Sequence, residues 1–168
     1  MLNLNKLIDK LQESAVLYEL HKHQALYTVN DSVEKRGLIK GAHSKNLFLK
    51  NKKNQLFLFS CLENTNIELK KLSKSLNIGN ISFAKESILK LKLGVEPGSV
   101  SPFGLLNDKN HDIEFYLDSN FLQQKTVNFH PLVNTATISL SPDSFVNFLI
   151  ENKKKVNIFD FNSYTLIK

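Results

Sequence analysis

"NLFLKNKKNQLFLFSC", residues 46–61, decides how this chain is read. Two apolar stretches rich in Leu and Phe flank the polar turn "KNKKN", which is the pattern of a β-hairpin. The first strand alternates, so Lys45, Leu47 and Leu49 share one face and Asn46, Phe48 and Lys50 the other. An antiparallel pair argues against a doubly wound parallel sheet, and the flanking segments agree.

Before the hairpin, "LNKLIDKLQESA" sets Leu2, Leu4, Leu7, Ile8 and Leu11 on one helical stripe. "AVLYELH" reads as a strand and "NDSVEKRG" as a short capped helix ended by Gly37. After it, "TNIELKKLSKSLNIG" reads as an amphipathic helix. Thr65 and Glu68 have capping-box spacing there, and Gly79 lies past the end. "NISFA" is a strand, and "KESILKLKLG" a helix closing at Gly94. "DIEFYLD", "KTVNFH" and "TATISL" are three more strands. "SPDSFVNFLIENKKK" is a last helix, with Ser141 as N-cap, Pro142 in the first turn and lysines suited to its C-terminal dipole. Strands in pairs and clusters, rather than strict strand–helix alternation, predict an α+β fold with a mostly antiparallel, curved sheet.

Composition bounds the function. With 168 residues, 42% of them hydrophobic, the chain is long enough for one domain with its own core. No apolar run approaches the ~20 residues needed to span a bilayer, and the N-terminus lacks a signal-peptide core. A soluble, cytoplasmic protein is expected, with no membrane partner. The single cysteine, Cys61, excludes an internal disulfide and a CxxC zinc arrangement, and its place at a strand end predicts a buried thiol. Net charge is +6, which suits a polyanionic partner and equally a Lys- and Asn-rich genome. No G-x-G-x-x-G, P-loop or G-x-S-x-G pattern is present, so dinucleotide, ATP and serine-hydrolase chemistry are not expected.

"GVEPGSVSPFG", residues 94–104, concentrates three of the six glycines and two of the four prolines. Such a segment is a tight structural loop, or a loop whose backbone amides hold a ligand. "AHSKNLFLK" places His43, Lys45 and Asn46 at the entry to the hairpin. Lys45 there is a solvated lysine or a phosphate contact. "VNFHPLVN" puts His130 beside Phe129, as a packed histidine or a base. His21 and His23, two apart, face one side of a strand, but two ligands do not make a zinc site. His111 falls in a polar turn. Lys153–Lys155 read as a helix end, with steering of an anion as the second reading. No metal or other cofactor is called for. Acidic residues are scattered, so an enzyme built on this chain would lean on backbone donors and on its substrate.

Taken together, "GAHSKNLFLKNKK", "LGVEPGSVSPFGLLND" and "FHPLVNTATISLS" resemble the prolyl-tRNA synthetase-associated editing domains of YbaK-type fold. Within that family they are most similar to the free-standing alanyl-tRNA(Pro) deacylases. The resemblance runs from the N-terminal helix to about Asp160, leaving 161–168 as an unmatched tail on a single editing domain spanning 1–168. It implies a mixed, partly barrel-like sheet with surrounding helices, and hydrolysis of the ester that joins a wrong amino acid to the terminal adenosine of tRNA. The family's G-x-x-x-P loop falls on Gly98, Ser99, Val100, Ser101 and Pro102, which with Lys45 are the implied catalytic set. Lys45, Asn46, Phe103, Gly104, Phe129 and His130 are the implied substrate contacts. The implied partner is the acceptor end of tRNA(Pro) carrying alanine, and association with prolyl-tRNA synthetase is consistent with it. Two alternatives are a deacylase for mischarged cysteine or serine, and a non-catalytic module that binds tRNA or a synthetase.

Overall fold

The structure is a computed structural model that describes residues 1–26, 28, 30, 34 and 39–168. The hairpin is its centre. Strands β2 (Ala42–Asn51) and β3 (Leu56–Leu62) pair antiparallel from Ser44–Leu62 to Lys50–Leu56. Asn51 builds the turn: its Oδ1 accepts from the amides of Lys53 and Gln55, both at 3.0 Å, and its Nδ2 donates to the Ile78 carbonyl at 2.9 Å.

The sheet grows from both edges of the hairpin. Beyond β3 lie β5 (Ile113–Asp118) and β8 (Asn157–Asp160), each parallel to its inner neighbour, then β9 (Thr165–Leu166), antiparallel to β8. On the far edge of β2, β6 (Val127–Phe129) pairs parallel with one end, and β4 (Ile81–Phe83) pairs antiparallel with the other. β7 (Ala136–Leu140) joins β6, and β1 (Tyr18–Lys22) joins β7. Five of these eight pairings among the described residues are antiparallel, as the sequence predicts for a mixed sheet. The sheet is curved, as the partly barrel-like expectation has it, and among the described residues it does not close: β1 and β9 are the two ends of the strand path.

Alternation along the strands divides the side chains between two cores. Phe48, Leu58, Phe115, Leu117, Val127, Phe129 and Ile138 point to one face. Helices α1 (Leu4–Glu13), α3 (Glu86–Leu93) and α4 (Pro142–Glu151) bury Leu7, Leu11, Leu89, Leu93, Phe145 and Phe148 against it. Leu49, Phe57, Phe59, Cys61, Tyr116 and Phe159 point to the other face. There Leu72 of α2 (Leu69–Leu76) and the C-terminal Phe161 cover them. Fully burying one such ring contributes roughly 1.5–3 kcal/mol.

Several local expectations change. The helix expected over "NDSVEKRG" lies largely outside the described residues. The Thr65–Glu68 capping box does not form: Glu68 is itself the N-cap of α2, with no side-chain cap bond, and its carboxylate pairs with Lys71 at 2.7 Å. Asn77, not Gly79, is the left-handed C-cap, because an Asn tolerates that conformation. Helix α4 starts as predicted, with Ser141 Oγ accepting the Ser144 amide at 3.1 Å, but ends at Glu151. Lys153–Lys155 therefore lie beyond its last turn, and the Lys154 ammonium turns inward to the Asp108 carbonyl. Burial holds the Lys154 pKa below the ordinary lysine value. The unmatched tail contributes β9 to the sheet.

Candidate active site

Among the described residues β2 has strand partners on its outer edge at both ends but not in its middle. β6 pairs with Ala42 and His43, and β4 with Leu49–Asn51. The Ala42 amide donates to the Thr126 carbonyl at 2.9 Å, and the Phe48 carbonyl accepts from the Ala84 amide at 3.0 Å. Backbone direction alternates along a strand, so Ser44 and Asn46 aim their N–H and C=O groups at this same edge. Among the described residues no strand pairs with them there. An uncovered stretch of backbone donors and acceptors inside a sheet is a place for an extended or planar ligand.

The side chains on this stretch diverge. Lys45 is half-buried, and its ammonium donates to the carbonyl of Thr65, in the loop before α2. Asn46 faces the other side, where its Oδ1 accepts from Ser60 Oγ and its Nδ2 donates to Ser44 Oγ at 3.2 Å. Cys61 stands opposite Lys45 in the hairpin register. Burial pushes its thiol up to about 12, so at neutral pH it carries no thiolate to act as a nucleophile. Asp118 closes the end of β3, accepting from the amides of Leu62 at 3.3 Å and Asn120 at 2.9 Å, and burial raises its pKa.

The glycine–proline loop reads residue by residue. Pro97 and Gly98 are the central residues of a turn closed by the Ser99 amide donating to the Glu96 carbonyl at 3.0 Å. Gly98 has φ +85°, the left-handed value that a type II turn places on its third residue. Gly98 is exposed and Val100 half-buried, while Ser99, Ser101 and Pro102 are buried. Ser101 caps a 3-10 helix over Pro102–Asn107, its Oγ accepting the Phe103 amide at 3.3 Å. Gly104 packs on α3: a Cβ there would lie 3.0 Å from Leu93 Cβ and from its carbonyl oxygen.

Two aromatic rings tie the loop to the strand beside the uncovered edge. Phe103 meets Phe129 edge-on at 6.2 Å, and Phe129 stacks on Phe145 at 4.3 Å. His130 follows Phe129, and its Nδ1 donates to the Ala136 carbonyl at 3.3 Å. The structure thus joins the loop to β6, and β6 to β2. It does not bring the whole expected set to one surface. Phe103 and Phe129 are 0% and 1% exposed, so their rings belong to the core and present no face to a ligand. Lys45 and Asn46 occupy opposite faces of β2. Sequence reasoning passed over Ser60, which anchors Asn46, and the backbone of Ser44. For Ser60 the signal was there, a polar residue inside the apolar run "LFLFSC". Among the described residues no group of three or more His, Cys, Asp or Glu could hold a metal, and no helix is long and apolar enough to cross a membrane.

Comparison with known proteins bears on this geometry. Residues 23–148 match the family model described as aminoacyl-tRNA editing domain. The chain is 39% identical over 146 residues to the Bos taurus prolyl-tRNA synthetase associated domain-containing protein 1, covering 84% of this chain and 85% of the relative. It is 36% identical over 136 residues to the prolyl-tRNA editing protein ProX of Acetoanaerobium sticklandii, covering 80% and 82%. A crystal structure described as a candidate trans-editing enzyme for prolyl tRNA synthetase superposes with a TM-score of 0.67, covering 93% of this chain and 96% of the other. Its identity is 18%, so that likeness speaks for the fold alone.

Proposed function

This chain belongs to the aminoacyl-tRNA editing domain family, and from that premise we propose that it is a trans-editing deacylase. Its substrate would be tRNA(Pro) mischarged with alanine. The observation that carries the reading is the uncovered edge of β2 at Ser44–Asn46, beside His130 and the loop that Phe103 ties to β6.

In this reading the aminoacyl ester lies along that edge. A water molecule attacks the ester carbonyl carbon, and the resulting oxyanion is held by backbone N–H groups of the Gly98–Pro102 loop. The bond from that carbon to the ribose oxygen then breaks, and the proton of the attacking water passes to the ribose oxygen. The neighbouring ribose hydroxyl orients the water, which accounts for a site without a side-chain base. Lys45 meets a phosphate as a point charge. Asn46, held by Ser60, fixes the aminoacyl end. His130 forms the wall that excludes proline, while Phe103, Gly104 and Phe129 act by fixing the backbone on either side. A wall is needed because one methylene of difference in binding gives only ~1–3 kcal/mol.

The test is single-turnover hydrolysis of Ala-tRNA(Pro), with Ser-tRNA, Cys-tRNA(Pro) and Pro-tRNA(Pro) alongside. Alanine released fastest, with Pro-tRNA(Pro) left intact, is the expected result. Preference for cysteine or serine would move the substrate and keep the chemistry. Tight tRNA binding without turnover of any ester would leave a binding module.

A further inference from the structure

β1, β6 and β7 present a second face that the reaction described above does not use. Alternation puts Glu19, His21, Asn128, Thr137 and Ser139 there, opposite the apolar side chains of Leu20, Phe129 and Ile138. Beside them runs an open groove of about 1080 Å³, larger than a single small metabolite requires. Three lysines line it: Lys22, Lys40 and Lys125. All three are exposed, and none forms an ion pair among the described residues. The contrast with Lys71, Lys90 and Lys92 is plain, since each of those is neutralised by a neighbouring carboxylate. Among the described residues the one carboxylate lining the groove is Glu19, which sits 3.5 Å from His21. Leu17, 86% exposed, also lines the groove, whereas Tyr18 packs with Leu20 against the apolar core on the opposite face of β1, its hydroxyl accepting from Gln12 Nε2 at 3.3 Å.

Cations without carboxylate partners along an open groove, with an exposed apolar side chain beside them, suit a single nucleic-acid strand. The cations track phosphates. The groove also points to the site. Lys45 lies on the same face of β2 as His43, whose register partner in β6 is Asn128. Thr126, in the groove wall, accepts from the Ala42 amide. Ala42 is three residues from Lys45, about 10 Å along an extended strand.

We propose that this groove is the track for the single-stranded phosphodiester chain that precedes the terminal adenosine, with Lys22, Lys40 and Lys125 on successive phosphates. The proposal rests on the reading of the protein as an aminoacyl-tRNA deacylase, which supplies the terminal adenosine, and adds a surface remote from the ester.

The experiment uses the full chain with Lys22→Glu, Lys40→Glu and Lys125→Glu combined, and a second triple variant to Gln. These side chains are exposed, so the melting temperature should hold. Two substrates are compared, mischarged tRNA and alanyl-adenosine, which lacks the preceding strand. Binding of uncharged tRNA is followed by fluorescence anisotropy across a salt series. The Glu triple variant should raise KM for the tRNA at least about tenfold, with hydrolysis of alanyl-adenosine unchanged. In the Gln triple variant the slope of log K against log salt should fall by about 2, because each phosphate contact on a single strand contributes about 0.7. Unchanged tRNA binding and salt slope, or an equal loss on both substrates, would overturn the groove. If the native protein hydrolysed neither ester, the deacylase reading would fall, while the anisotropy series would still decide whether the groove holds RNA.

Discussion

The two halves of the sheet's far face obey one alternation and end differently. Over β3, β5 and β8 the outward positions are Phe57, Phe59, Cys61, Tyr116 and Phe159, and Leu72 of α2 closes over them. Over β1, β6 and β7 the outward positions are Glu19, His21, Asn128, Thr137 and Ser139, beside an open groove. Lys45 stands near the seam, with Cys61 of the dry half as its hairpin partner and His43 of the wet half two residues before it. The lesson is that period-two patterning fixes which face a residue takes, while residue chemistry fixes whether that face is sealed or left for a partner. In this molecule the candidate site lies where the two treatments meet.

The comparison breaks most readily at the sealed half. Phe59 is fully buried and stacks on Tyr116 at 5.1 Å. Phe59→Ala should destabilise the protein by about 3–5 kcal/mol, measured by urea unfolding. A loss under about 1 kcal/mol would mean that α2 does not seal a packed core.

Next in size is Gly98→Ala. Its φ of +85° disfavours any side chain, and a methyl there would disturb the amides assigned to the oxyanion. Single-turnover hydrolysis of Ala-tRNA(Pro) should fall about 10²–10³-fold, with tRNA binding within about threefold. Equal losses in rate and binding would take the loop out of the transition state.

At the seam, Lys45→Ala should raise KM about 10–100-fold with a smaller change in kcat, as expected for a lost charge-assisted contact of ~1.5–3 kcal/mol. Near-normal kcat/KM would remove its phosphate role and leave the Thr65 hydrogen bond as its purpose.

The smallest effect is expected at the wall. His130→Ala should keep hydrolysis of alanine within about tenfold while raising that of Pro-tRNA(Pro), in parallel single-turnover assays. Loss of all hydrolysis with fold and binding intact would make His130 an essential orienter or base.

Much of this was legible in the residues. The hairpin, both faces of β2 and the caps at Gly94 and Ser141 follow from alternation and local capping chemistry. The Thr65–Glu68 spacing misled because a capping box is one of several ways to start a helix, and α2 begins three residues later than that spacing implies. The strands β8 and β9 were missed because "NIFD" and "TL" are too short to show a period. Phe103 and Phe129 sit in motif segments, yet their rings pack with Phe145, a contact between residues far apart in sequence. The unpaired stretch at Ser44–Asn46 was invisible for the same reason: it exists only because β6 and β4 both stop short of it.

Amide chemical-shift mapping tests that stretch most directly. The protein would be titrated with an alanyl-adenosine analogue whose ester oxygen is replaced by nitrogen, so that it binds without being cleaved. The account predicts that the amides of Ser44, Asn46 and the Gly98–Ser101 loop shift first and saturate together, with Phe57, Phe59 and Leu72 unmoved. Saturating shifts confined to the α2-covered half, with Ser44 and Asn46 unchanged, would contradict it.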